Sequence, residues 1–298
     1  MKNKTLIGCL CALSCEVLFG LSYVFTKQAT ESTGAFELLG WRFFTAFLVM
    51  TLLVFTGIVK INLKGKKIKS LLSVALFSPV IYFIGETVGI ANTSASESGV
   101  FLACIPVASL IASAWILKKK PTRRQAVGIA ITLVGVLVTV FAAGISASLS
   151  VTGYLFLTAA VISYALYSVF VEKAADFTEA EITYTQLCSG ALVFVVTALV
   201  QGFANGTAAE LMALPFQNIH FLIAILYQGI GCSILAFFMS NAAIARIGVN
   251  RASSFIGAST VVSILAGMLI LGEPFSLMQM MGALIIIAGI YAANSAAG

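Results

Sequence analysis

Long apolar runs closed by charged or turn-forming residues recur along the chain, at residues 6–26, 37–57, 70–91, 98–117, 125–145, 152–172, 182–202, 219–241, 252–271 and 277–294. A helix rises about 1.5 Å per residue, so about 20 apolar residues cross the hydrocarbon layer of a bilayer, and each run is long enough. The pattern predicts an all-α integral membrane protein with ten transmembrane helices. Short linkers make consecutive helices antiparallel neighbours, and the longer polar linker from Gly202 to Asn218 is expected to be a flexible loop. An even number of spans places both termini on one face.

Composition agrees that lipid is the solvent. Of 298 residues, 60% are hydrophobic and 9% charged, with a mean hydropathy of +1.06, a balance that in water would expose large apolar surface. The net charge of +6 would suggest nucleic acid in a soluble protein, but fifteen of the seventeen Lys and Arg residues fall in linkers or span ends on the face that holds the N-terminus. Lys and Arg accumulate on the cytoplasmic side, so both termini are expected to be cytoplasmic. Only Lys27 and Arg42 depart from this distribution. The six cysteines lie inside apolar runs without paired spacing, and His220 stands alone, so neither disulfides nor a metal site is expected, and no cofactor is called for.

The two halves of the chain resemble each other. Ile90-Ala91 matches Ile244-Ala245, Pro121 matches Pro274, and Gln125, Gly128 and Gly135 match Gln279, Gly282 and Gly289 at the same internal spacing. Gly8 with Gly153, and Val24-Phe25 with Val169-Phe170, are weaker matches. The expected units are residues 1–145 and 146–298, five spans each. An odd number of spans per unit inserts the two copies with opposite polarity, the inverted repeat associated with alternating access. Lys118-Lys119-Lys120 before Pro121 is replaced by Leu271-Gly272-Glu273 before Pro274, as expected if the two turns lie on opposite faces.

With these residues in view, the chain resembles the drug/metabolite transporter superfamily, with two EamA-type domains covering essentially its whole length. The resemblance rests on Leu39-Gly40-Trp41-Arg42-Phe43 in the second span, on Ser98 to Val136 with Pro106, and on Ile244 to Ala292 with Leu271-Gly272-Glu273-Pro274. Lys120 stands where that family commonly has an acidic residue, and Ser259-Thr260 replaces its usual ninth-helix proline. The resemblance implies a ten-helix carrier in a bacterial plasma membrane. Its central cavity would be lined by helices one, three, four, six, eight and nine, with five and ten away from substrate.

An ionisable residue in mid-bilayer costs about 2.5 to 3.5 kcal/mol on insertion scales, which singles out Glu16, Arg42 and Glu86. Glu16 shares a helical face with Gly20, Tyr23 and Lys27, and Glu86 shares one with Pro79, Tyr82, Gly89 and Thr93. Ala12 to Val17 also resembles the first helix of small multidrug resistance proteins, in which a glutamate binds cation and proton by turns. A carboxyl group held away from water can exchange a proton near neutral pH, so Glu16 and Glu86 are the candidates for proton coupling and for binding a cation. Either could instead hydrogen-bond across helices. Tyr82, Tyr164, Tyr167, Tyr227 and Gln228 are candidates for the rest of a substrate site, since ring faces attract organic cations. For Arg42, anchoring near the outer surface or pairing with Glu37 is expected, and Trp41 and Trp115 are read as interface anchors. The small residues from Ala252 to Gly267 suit close helix contact or sliding.

The expectation is a secondary active transporter of a small organic solute, cationic or zwitterionic (an amine, a quaternary ammonium compound or an amino acid), exchanged for protons by alternating access. Its partners would be that solute, protons and membrane lipid, with no nucleic acid, as a monomer or homodimer. An exporter or uniporter of neutral metabolites, with both glutamates structural, is the rival within transport. A membrane enzyme lacks an acid, base and nucleophile cluster, and saturable exchange against a gradient would separate a carrier from a channel or scaffold.

Overall fold

The computed structural model describes residues 2–30, 33–66, 68–93, 98, 101–142, 150–272 and 276–294, and within these all side chains but those of Lys2, Tyr23, Lys27 and Thr30. Ten apolar helices form a bundle: α1 (Lys2–Thr30), α2 (Ala35–Phe55), α3 (Lys69–Ala91), α4 (Phe101–Ile116), α5 (Arg123–Ala142), α6 (Val151–Lys173), α7 (Glu179–Asn205), α8 (Ile219–Ile247), α9 (Val249–Leu271) and α10 (Leu277–Asn294). Among the described residues, nine are long and apolar enough to cross a membrane and α4 is shorter. Their outer faces are apolar, as the exposed stripe Leu192, Val196, Val200 and Phe203 on α7 illustrates. Lipid is the only solvent in which such a surface is not a liability.

Local sequence sets the helix boundaries. Thr178 caps α7 by accepting from the Glu181 amide, while the Glu181 carboxylate accepts from the Thr178 amide. Gly206, at φ +73°, ends the same helix in the left-handed region. The linker beyond it is not a loop. Ala208–Gln217 forms a short helix, held by the buried Leu211 and by Trp41 Nε1, which donates to the Leu211 carbonyl at 3.0 Å. Its Ala-Ala-Glu-Leu-Met-Ala-Leu run has high helix propensity, which outweighed the polar flanks. Trp41 is thus a strap for this helix rather than an interface anchor, whereas Trp115 is 82% exposed on the apolar exterior.

The packing repeats itself when the two halves are exchanged. α1 packs on α8 and α9, and its counterpart α6 packs on α3 and α4. α2 packs on α8 as α7 does on α3, while α2 with α7 and α5 with α10 are pairs of counterparts. The matched glycines explain the α5–α10 contact: a Cβ at Gly135 would sit 2.8 Å from the Gly282 carbonyl oxygen, and one at Gly282 would sit 2.8 Å from that of Gly135. Both helices open with the same reciprocal cap. Thr122 pairs with Gln125, and Ser276 with Gln279, through side chain to main chain bonds of 2.8 to 3.2 Å. α3 and α8 each widen to π-helical geometry in mid-span, at Leu76–Ile81 and Tyr227–Ala236.

Beyond these wide turns the symmetry fails. The last segment of α8, Phe237–Ile247, lies against α1, α6 and α7. The backbone of the equivalent segment of α3, Tyr82–Ala91, approaches α6 but stands off from α1 and α2. A gap of about 470 Å³ remains there, lined by Glu37, Thr87, Ala91, Asn92, Gln201 and Asn205. On the opposite, basic face, ion pairs clasp the linkers to the helix ends. Glu181, 2% exposed, accepts from Lys66 Nζ at 2.6 Å and from the Asn62 amide at 2.9 Å. Glu172 accepts from Lys119 and, at 2.7 Å, from the Val249 amide.

Candidate functional site

Glu16 lies midway along α1 and is 5% exposed. It faces a cleft bounded by Ala12 and Cys15 of α1, Tyr164 and Ser168 of α6, Ser240 of α8 and Ser253 of α9. The cleft holds about 10 Å³, the room of a single water. Cys15 Sγ approaches Glu16 Oε1 at 3.7 Å, and Ser259 of α9 stands within hydrogen-bonding reach of the carboxylate. Among the described residues Glu16 is in no ion pair.

On α3, one turn links the next two groups: Tyr82 donates from its hydroxyl to Glu86 Oε1 at 2.8 Å. The Tyr82 ring meets Tyr164 edge to face at 5.5 Å, and Tyr164 meets Tyr167 likewise at 5.4 Å. Tyr164 lines the same cleft as Glu16. Four residues selected from the sequence, Glu16, Tyr82, Glu86 and Tyr164, are therefore brought into one group.

The remaining candidates have other company. Tyr167 donates to Asn241 Oδ1 at 2.8 Å, and the Asn241 amide donates to Thr183 Oγ1 at 3.1 Å and Gln186 Oε1 at 2.8 Å. Gln186 in turn donates to the Ser78 carbonyl at 3.1 Å, and Ser163 to that of Phe77 at 2.8 Å. These carbonyls lie where Pro79, which lacks an amide hydrogen, and the non-helical Ser78 interrupt the α3 ladder. Tyr167 thus belongs to a network behind the cleft. Tyr227 stacks on Phe25 at 4.2 Å and donates to the Leu18 carbonyl, and Gln228 donates to Thr26 Oγ1. Both clamp α1 instead of facing the group. Gly20 is covered by α9, where a Cβ would come 2.7 Å from the Ser259 carbonyl oxygen. The side chain of Tyr23 lies outside the described residues.

One residue was underestimated. Arg42 is neither near a surface nor paired with Glu37, whose carboxylate is taken by Thr33 and the Gly34 amide. It is 7% exposed, donates from Nε to Ser233 Oγ at 2.7 Å, and stands 4.9 Å from the Phe83 ring centre and 5.6 Å from that of Phe43. Among the described residues it is in no ion pair. The signal was already in the sequence, since Arg42 interrupts an apolar run; its neighbours on α3 and α8 are what sequence spacing does not supply.

A membrane-embedded helical bundle with paired halves and a buried acidic group between them defines a polytopic transporter. The match to known proteins fixes which kind. The chain belongs to the EamA-like transporter family, whose pattern matches residues 6–141 and again 151–295. It is 31% identical to an uncharacterized transporter of Bacillus subtilis, YcxC, over 99% of this chain and 95% of the relative. It is 25% identical to a "Probable amino-acid metabolite efflux pump" of Salmonella typhimurium over 60% of each chain. A solved crystal structure with 18% identity superimposes at a TM-score of 0.75, covering 99% of this chain and 97% of the other, a likeness of fold. The protein is a multi-pass membrane transporter rather than an enzyme.

Proposed function

We propose that this transporter carries a small cationic or zwitterionic organic solute in exchange for protons, by alternating access between its two halves. The observation that carries the reading is Glu16: a buried carboxyl group midway along α1, in no ion pair among the described residues, where α1 and α9 meet α6 and α8. A buried acid without a fixed cation is costly as a purely structural feature and is suited to hold a proton and an ammonium group by turns. Tyr164 and Tyr82 add ring faces for the body of such a solute. The amino-acid efflux pump among the relatives favours an amino-acid-like solute. Alternating access is supported by the clasped basic face beside the gap on the other.

The test is transport in proteoliposomes with an imposed pH gradient, screening amines, quaternary ammonium compounds and amino acids. Glu16→Gln is expected to abolish accumulation driven by the gradient. Full pH-driven accumulation by that variant would overturn the coupling role, and uptake indifferent to both pH and solute charge would favour a uniporter of neutral metabolites.

A further inference from the structure

The serine hydroxyls around the Glu16 cleft have already given away their protons. Ser168 donates to the Tyr164 carbonyl at 3.0 Å, and Ser253 to the Asn250 carbonyl at 3.4 Å. Tyr167 spends its single proton on Asn241 Oδ1 at 2.8 Å, so in its 3.3 Å contact with Ser240 the serine is the donor. Ser259, within reach of the carboxylate, gives its proton to the Ile256 carbonyl at 2.6 Å. Cys15, a weak donor, has the Ala12 carbonyl at 3.2 Å, nearer than Glu16 Oε1 at 3.7 Å. Ser168, Ser240 and Ser253 are each more than nine-tenths buried, and they line one cleft with the carboxylate. Acceptors gathered in this way without a donor are costly until something positive joins them.

Size and charge then select what joins them. A volume of about 10 Å³ admits one particle the size of a water and, in this conformation, excludes the body of an organic cation. One carboxylate, in no ion pair among the described residues, balances one monovalent charge. Among the described residues no three His, Cys, Asp or Glu side chains gather as a divalent or transition metal would require. A carboxylate is a strong-field oxygen and favours the smaller alkali cations. The titratable neighbours of Glu16 on the cleft are Cys15 of α1 and Tyr164 of α6, while α8 and α9 bring to it only serine and apolar side chains. We propose that Glu16, with the hydroxyl oxygens of Ser168, Ser240 and Ser253, binds a dehydrated sodium ion that competes with the proton for the carboxylate. This rests on the carrier reading above and gives the same site a second coupling ion. Bound there, the ion joins α1 to α6, α8 and α9, the helices that meet at the cleft.

The test measures thermal stabilisation of the purified protein by lithium, sodium, potassium and N-methylglucamine chlorides at constant ionic strength across a range of pH. Sodium is expected to stabilise the wild-type protein more than potassium does, and N-methylglucamine not at all. The half-saturating sodium concentration should rise about tenfold per unit fall in pH on the acid side, where the proton holds the carboxylate. Glu16→Gln should erase the sodium response. Ser240→Ala and Ser253→Ala keep the carboxylate and guard against a glutamine variant that does not fold. Each should raise the half-saturating sodium concentration by about three- to tenfold, the loss of one oxygen ligand. Potassium that matches sodium, a sodium affinity indifferent to pH, or a response unchanged in these variants overturns the assignment. Absence of any sodium response, while Glu16→Gln still abolishes pH-driven accumulation, rejects the sodium site and leaves the proton carrier standing. A sodium response lost in Glu16→Gln, in a protein that shows no pH-driven transport of any solute, keeps the site and rejects proton exchange.

Discussion

At the scale of single residues, polar groups in this bundle divide into those that are spent and those that are open. Asn241 is spent: 0% exposed, it accepts from Tyr167 and donates to Thr183 and Gln186, tying α8 to α6 and α7. Hydrogen bonds between membrane helices average near 0.6 kcal/mol, but removing a centre that serves three partners strands them all. Asn241→Leu is therefore expected to lower stability by about 1 to 3 kcal/mol, read as a drop in melting temperature in detergent. An unchanged melting temperature would show that this network does not hold α8 to α6 and α7. Glu16, Arg42 and Glu86 are the open ones, and their rarity in apolar runs made all three visible in the sequence. The roles of the tyrosines were not visible. Tyr164 and Tyr167 sit one turn apart on one helix, yet one faces Glu16 and the other a hydrogen-bond network, a difference made by α8 and not by spacing.

At the scale of helices, glycine decides how closely α5 and α10 approach. A Cβ at Gly289 would lie 2.4 Å from Thr132 Oγ1 and 2.7 Å from the Gly128 carbonyl oxygen, distances that only helix separation relieves. Gly289→Ala is expected to cost about 1 to 3 kcal/mol by overpacking, and Gly128→Ala, whose Cβ would meet the Ala293 backbone at 2.4 Å, a similar amount. Gly231→Ala should be nearly silent by contrast, because the nearest atom to its Cβ would be 3.6 Å away on the Tyr227 ring. Melting temperatures of the three variants compared side by side check this order. The glycine spacing was legible because both halves repeat it. The wide turns were not: Pro79 marks the one in α3, but Tyr227–Ala236 has no proline, and its Tyr227 and Cys232 bond to the Leu18 carbonyl of α1, a contact that sequence spacing does not reveal. The short helix Ala208–Gln217 was hidden for the opposite reason, its helix-forming core being set between Asn-Gly-Thr and Gln-Asn.

At the scale of the whole molecule, the two similar halves adopt unequal conformations, and the proposed alternating access would exchange them. The last segment of α8 lies against α1, α6 and α7, whereas the backbone of the equivalent segment of α3 lies close to α6 and reaches α2 mainly through the Phe83 and Phe43 rings; an exchange of these roles is what the proposed alternating access would require. Under that proposal, the clasp on the basic face is what would bias the balance. The Lys119–Glu172 pair contributes little by itself, since Lys119 is 63% exposed and water screens it. Glu181 matters more, because its carboxylate is 2% exposed and gathers Lys66, the Asn62 amide and the Thr178 amide. Removing its charge weakens bonds worth about 1.5 to 3 kcal/mol apiece when charge-assisted, enough to shift a two-state balance tenfold. Glu181→Gln is therefore expected to raise the labelling rate of a cysteine placed at Ser168, beside the Glu16 cleft, by about tenfold with a polar maleimide, and to slow labelling at Asn205, which lines the gap on the other face. Glu172→Gln should move both rates in the same directions by less. Rates that rise at both positions would mean loosening of the bundle instead, and rates that do not change would show that apolar docking of α8, not the clasp, holds this face shut.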